Sequence, residues 1–211
     1  EANIPVTNPA LNRDRFLSQV NGMIWGPDPR DGVVQGSTFI HPGLRFAFDA
    51  PKGMTLQNQP SQVIGQGGNA VVIFDLADPV PSGALADYIS SGWQEGAKIQ
   101  DVQSFEVNGM EAATGVTQAS IQDTQVTVRL VAIRKSAKEV YRFIFATPPD
   151  NFAAADKKFI ASVRSCREIG AQDAAGYRPK HIQVVTVQPG ETATSLAGRM
   201  RTDEAQADWF R

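Results

Sequence analysis

With 211 residues, 42% hydrophobic and 20% charged, the chain has enough apolar material for a packed core and too little charge for disorder. Lys plus Arg (20) nearly cancels Asp plus Glu (22), so no overall field recruits nucleic acid or an anionic membrane surface. No apolar run approaches the ~20 residues of a membrane span, and the single Cys166 excludes an internal disulfide. No signal peptide is legible. The chain opens at Glu1 without an initiator Met, so this end is expected to come from processing or an imposed boundary, with any targeting signal lost upstream.

The first segment, "NPALNRDRFLSQVNG", carries helix punctuation: Asn8 suits an N-cap, Pro9 the first helical position and Gly22 a left-handed stop. "WGPDPRDGVVQG" follows as an ordered loop or arm, so residues 1–38 are expected to form an N-terminal helix and arm. From Phe39 the period changes. "LRFAFDAP" sets Leu44, Phe46 and Phe48 against Arg45, Ala47 and Asp49, a strand with one wet face. "QVIGQGGNAVVIFDLA" reads as two strands around a Gly-rich turn at 65–69. "PSGALADYISSGWQEG" turns helical, with Ser82 as cap and Leu85, Tyr88, Ile89 and Trp93 on one face.

Four further strands are predicted in "IQDVQSFEV", "MEAATGVTQAS", "TQVTVRLVAIR" and "EVYRFIFAT". Asn108-Gly109 favours a tight hairpin between the first two, because both central residues need positive φ. The basic stretch Arg134-Lys135-Ser136-Ala137-Lys138 reads as a solvated hairpin tip. The longest helix is expected in "NFAAADKKFIASVRSCREIG", with Phe152, Ala155, Phe159, Val163 and Cys166 on its buried stripe and Gly170 as its stop. Residues 39–170 therefore predict an α+β sandwich domain, an antiparallel sheet with helices packed on it. Residues 171–180 read as a linker, and 181–211 as a small βαα module: a strand in "HIQVVTV" and two helical stretches split near Thr202.

No motif for chemistry emerges. His41 and His181 fall in different predicted domains without a second ligand beside either, and no H-E-x-x-H occurs. There is no G-x-S-x-G, and "GQGGN" lacks the Lys-Ser/Thr and the helix of a phosphate loop. Asp75 and Asp78 lie where a strand meets a loop, a common place for carboxylates without acid–base duty. Cys166 sits on an apolar stripe and reads as a small core residue. The chain is expected not to be an enzyme, with no catalytic residue, metal ligand or cofactor of its own.

Three stretches resemble known families. The core from "FIHPGLRFAFDAPKGM" through "VNGMEAATG" to "YRFIFATPPDNFAAADKKFIASVRSCREI" resembles the PsbP/Mog-type sandwich in layout. "NRDRFLSQVNGMIWGPDPRDGVVQGSTFIHPGLRFAF…PKGM" resembles the non-catalytic C-terminal region of periplasmic BepA-like zinc metallopeptidases, within the HtpX-like family. In that family the zinc-binding H-E-x-x-H helix belongs to an upstream domain, so the resemblance implies zinc there and none of its ligands here. The tail, with Pro189-Gly190-Glu191-Thr192, Ser195-Leu196-Ala197 and Arg199-Met200, resembles a LysM module. In such modules this turn and a second loop cradle N-acetylglucosamine chains, which makes Gly190, Glu191 and Thr192 candidate glycan contacts. The sequence ends at Trp209-Phe210-Arg211, ahead of that loop and the final strand, as if cut inside its last module. Local helix capping by Thr192 explains "PGETATSL" equally well.

The leading expectation is thus an accessory region of a secreted or periplasmic zinc metallopeptidase, contacting substrate, envelope proteins or peptidoglycan while catalysis sits upstream. A free-standing peptidoglycan-binding envelope protein is the alternative. A small enzyme with an unrecognised site is a third.

Overall fold

In the computed structural model, which describes residues 12–26, 28–93, 96–121 and 123–200, the chain divides into two units. The smaller draws on both ends of the chain, up to Asp28 and from Pro179. Here helix α1 (Arg13–Val20) leads through Gly22, left-handed at φ 88°, into the short strand β1 (Ile24–Trp25). That strand pairs antiparallel with Lys180–His181, β13, the last strand among the described residues. Ile182 extends the pairing through Gly22 N–H to Ile182 O and Ile182 N–H to Met23 O, both 2.8 Å.

The strand expected at 182–187 is therefore confined to 180–181 with one flanking residue, and its partner comes from the chain's own N-terminal side. Past it, Val184 N–H donates to the Asn21 side chain rather than to a strand. Helix α5 (Ala193–Ala197) ends the described part of this unit. Asn8 and Pro9, and the second helical stretch with Trp209 and Phe210, lie outside the described residues.

The larger unit, Pro29–Arg178, holds two antiparallel sheets. Strands β2 (Val33–Gln35), β3 (Thr38–His41) and β4 (Phe46–Asp49) form the small one, so part of the expected arm is a strand. After β5 (Thr55–Gln59), β6 (Gln62–Gly67) and β7 (Ala70–Leu76) comes a short helix α2 (Leu85–Asp87), which widens into a π-helical turn at Tyr88–Gly92. The expected meander follows: β8 (Gln100–Val107), β9 (Met110–Ile121), β10 (Thr124–Ser136) and β11 (Glu139–Thr147). Helix α3 (Phe152–Arg164), strand β12 (Arg167–Glu168) and helix α4 (Ala171–Gly176) complete the unit. The large sheet runs β5-β6-β7-β11-β10-β9-β8 and the small one β12-β4-β3-β2.

Turn chemistry fixes the hairpins. Asn108 and Gly109 are both left-handed (φ 49° and 81°), the geometry a two-residue hairpin needs. Gly68 and Asn69 (φ 60° each) do the same between β6 and β7. Gly65, expected in that turn, sits inside β6 instead. A Cβ there would lie 2.5 Å from Val72 Cγ1 and 2.8 Å from Leu56 Cδ2, so its place is set by close packing.

The long central strands have no wet face, because each side of the large sheet has its own core. On one side Phe39, Phe46 and Phe48 of the small sheet meet Phe74, Tyr141, Phe143 and Phe145. Helix α3 seals this core with Phe159, Val163 and, just past its end, Cys166. Phe159 stacks on Phe145 at 4.7 Å between ring centres. Burying each such ring contributes about 1.5–3 kcal/mol. On the other side Leu85 and Ile89 pack over Ala113, Leu130, Ala132 and Val140. The wet face expected for β4 is missing at its centre: Ala47 is fully buried, opposite buried Ile40.

Three boundaries differ from expectation for identifiable reasons. Helix α3 stops at Arg164 rather than Gly170, because β12 must pair with β4 through Arg167↔Ala47 and Glu168↔Phe46. Ser82 does not cap α2; the Glu111 carboxylate accepts the Leu85 N–H at 3.0 Å. The stretch read as a linker is helical over Ala171–Gly176.

Candidate functional site

Each residue singled out in the sequence can be followed to its partners. Asp75 and Arg142 stand directly opposite on β7 and β11. The guanidinium grips the carboxylate with two hydrogen bonds, Nε to Oδ1 at 2.7 Å and Nη2 to Oδ2 at 2.6 Å. Arg142 also donates to the Tyr88 hydroxyl at 3.3 Å and lies 5.3 Å from the Trp93 ring centre. The Asp75 hydrogen bond and that of Tyr88 drive the Arg142 pKa up, against the opposing effect of burial. This fork-on-fork pairing occupies both carboxylate oxygens of Asp75. Asp78, exposed in the following loop, joins no such cluster.

His41 accepts the Leu44 N–H through Nδ1 at 3.2 Å and meets Phe39 edge-on. Burial depresses its pKa and favours the neutral ring. His181, in the smaller unit, bonds through Nδ1 to the Gly22 carbonyl at 2.8 Å. Cys166 is fully buried, and burial pushes its thiol pKa far up, so the reactive thiolate is suppressed. Among the described residues no cluster of three His, Cys, Asp or Glu side chains could hold a metal ion.

The basic stretch is less solvated than expected. Arg134 donates to Glu111 (2.7 Å), Pro81 O (2.9 Å) and Gly83 O (2.7 Å), bracing the approach to α2. Lys135 pairs with Glu168 at 3.1 Å. Ala137 and Lys138 remain as the tip. Helix α3 is tied to the sheet by a two-pronged pair between Arg129 and Asp156. Ser162 and Ser165 lock it to the backbone of Asp49, one donating to its carbonyl and the other accepting its N–H.

The tail residues Gly190, Glu191 and Thr192 form a turn before α5, with Gly190 left-handed at φ 88°. Thr192 and Ser195 make a reciprocal capping box. Glu191 accepts the Gln188 N–H at 2.7 Å and pairs with Arg199 at 2.9 Å. All three positions thus serve the local turn and cap.

Two features escaped the sequence reading. The Arg142–Tyr88–Trp93 cluster joins β11 to a helical turn, and no local pattern marks that pairing. A small cavity at one end of the large unit is lined by Lys52 and Lys158, from a turn and from α3. Two isolated lysines carry no signal until the fold brings them together.

No family model matches the chain, and no curated protein matches it. Solved structures do. The chain is similar to a protein of Bacteroides thetaiotaomicron VPI-5482, with TM-score 0.45, 14% identity, and 66% of this chain and 50% of that one covered. The chain thus spans half the length of that protein. It is also similar to cyanobacterial PsbP (CyanoP) from Synechocystis sp. PCC 6803: TM-score 0.45, 10% identity, 65% and 98% covered. A third is the Saccharomyces cerevisiae Ran-binding protein Mog1p: TM-score 0.45, 12% identity, 66% and 98% covered. The last two carry the names of the sandwich type that the sequence resembles in layout, and the likeness is one of fold alone.

Proposed function

We propose that this chain is the non-catalytic accessory region of an exported zinc metallopeptidase of the BepA-like kind, presenting a protein substrate or envelope partner to a catalytic domain upstream. The observation that carries the non-catalytic part is the commitment of Asp75, the strongest acid–base candidate, to a bidentate pair with Arg142. Cys166 and His41 are likewise held in structural roles, one buried and one accepting a backbone N–H. The near full-length sequence resemblance supports the peptidase parent.

The test has two parts. The purified protein should carry no stoichiometric zinc and should not cleave casein. Added to a separately purified BepA-like peptidase domain, it should form a saturable complex by calorimetry and leave the zinc content of that domain unchanged. One tightly bound zinc per molecule, or chelator-sensitive casein cleavage by the protein alone, overturns the non-catalytic reading. Absence of a complex overturns the peptidase assignment.

A further inference from the structure

We propose that the cavity between the two glycine turns and helix α3 is a binding site for a carboxylate carried on a short, branched apolar body. This site stands on the cavity alone and is independent of the peptidase assignment. The cavity holds about 120 Å³. Pockets for drug-sized ligands run to ~300–1,000 Å³, so a nucleotide or sugar oligomer does not fit.

Three features define what does. The rim carries Lys52 and Lys158, and no carboxylate lines the cavity. Both lysines are exposed, and neither has an ion-pair partner among the described residues. Two exposed lysines lining one small space, with no carboxylate among the described lining residues, favour an anion.

The wall is bare backbone. Gly53, Gly67 and Gly68 line it, and a Cβ on Gly67 would collide with the Gly53 carbonyl oxygen. The two turns are in contact only because that side chain is missing. Glycine here leaves main chain, rather than side chains, along this wall.

The floor is apolar: Phe159 is fully buried, and Met54 and Ala155 are half-buried beside it. A phosphate or sulfate needs donors on every side, and this floor offers none. A ligand with one anionic end and one branched hydrocarbon end satisfies rim and floor together. Two sources present that chemistry: the C-terminal residue of a peptide ending in a small apolar side chain, and a free short-chain acid. C-terminal carboxylates are a recurring target of main-chain recognition.

The experiment is an amide NMR titration of the 211-residue chain with isobutyrate, isobutyramide, N-acetyl-Gly-Gly-Val as free acid and as C-terminal amide, and inorganic phosphate. At least one carboxylate should give saturable shifts centred on the Gly53, Gly67 and Gly68 amides, with its amide counterpart at least about tenfold weaker. Lys52→Gln combined with Lys158→Gln should weaken binding by at least about tenfold while the thermal midpoint holds. Ala155→Met should fill the floor and abolish binding, with the lysines intact. Tighter binding of the peptide acid than of isobutyrate identifies a peptide terminus as the source; equal binding identifies a free acid. Equal binding of acid and amide, tighter binding of phosphate than of isobutyrate, or no saturable shift with either carboxylate overturns the proposal.

Discussion

Along β11, Tyr141, Phe143 and Phe145 face one core while Val140, Ile144 and Ala146 face the other. The aromatic side is covered by a second sheet and a 13-residue helix, with rings interlocking between them, Phe48 lying 5.0 Å from Phe74 and 5.1 Å from Phe143 between centres. The aliphatic side is covered by a helix of three residues and a π-turn, which must lie close because they have little reach. Small sheet positions, Ala113, Gly115 and Ala132, alternate there with larger ones such as Leu130 and Val140. One face is filled by rings, while the other leaves Gly115 and two alanines beneath its helical cover. Substitutions on the two sides should therefore fail in opposite ways, by cavity on one and by crowding on the other.

The largest effect is expected on the aromatic side. Phe159 stacks on Phe145 and is 1% exposed, so its removal leaves a void that flanking strands cannot collapse into. Phe159→Ala should lower unfolding free energy by about 3–5 kcal/mol in denaturant titration. A loss under ~1 kcal/mol would mean that α3 is not what closes this core.

Crowding is the test on the other side. A Cβ on Gly115 would lie 2.5 Å from Ile99 Cγ2 and 2.8 Å from Ile89 Cγ2. Gly115→Ala should cost about 1–3 kcal/mol, despite the better strand propensity of alanine. Stability at or above that of the parent protein would place the π-turn farther from the sheet than described.

The same comparison explains what could be read from the sequence. The meander β8–β11 was legible because Asn108-Gly109 and the apolar alternation are local signals. Phe159 was legible from the period of a 13-residue helix. Strand β12 was not, since two residues, Arg167 and Glu168, have no pattern of their own and take their conformation from β4. The polar strand "TLQNQ" is likewise held by its hairpin partner β6 rather than by hydrophobicity. The α2 cap was misread because a sequence offers Ser82 as neighbour, while the fold delivers Glu111 from another strand. At the carboxylate cavity, both lysines and both glycine turns are ordinary in sequence and acquire meaning only through contact.

A smaller effect, of opposite sign, is expected inside the aromatic core. The Tyr141 ring is 4.1 Å from Phe46 and 5.6 Å from Phe74, fully buried, and its hydroxyl has no hydrogen-bond partner among the described residues. Burial drives the hydroxyl pKa far up, so it stays neutral and uncompensated by any acceptor. An unsatisfied buried group costs about 1–3 kcal/mol, so Tyr141→Phe should stabilise the protein by about 1 kcal/mol. A higher thermal midpoint is the expected reading; a clear drop would show that the hydroxyl has a partner.

The smallest effect concerns how the close-lying cover is held down. Glu111 accepts the Leu85 N–H with one oxygen and the Arg134 guanidinium with the other. Those hydrogen bonds, backbone first and Arg134 second, hold its carboxyl below the usual carboxylate range. A carboxylate with a lowered folded pKa contributes stability that is present above its unfolded pKa and lost as pH falls through the folded one. The side chain is 44% exposed, so solvent screening limits the whole contribution to under ~1 kcal/mol. Glu111→Gln keeps an oxygen for Leu85 but removes the charge and sets an NH2 donor where the Arg134 Nε–H needs an acceptor. The deficit of this variant against the parent protein should be greatest near about pH 7 and shrink in acid, below the ordinary carboxylate range, as the parent carboxyl takes up its proton. Denaturant titrations of both proteins across that range decide it. A deficit that stays constant, or widens in acid, would mean that the charge on Glu111 does not anchor α2 and that hydrophobic seating of Leu85 and Ile89 holds the segment alone.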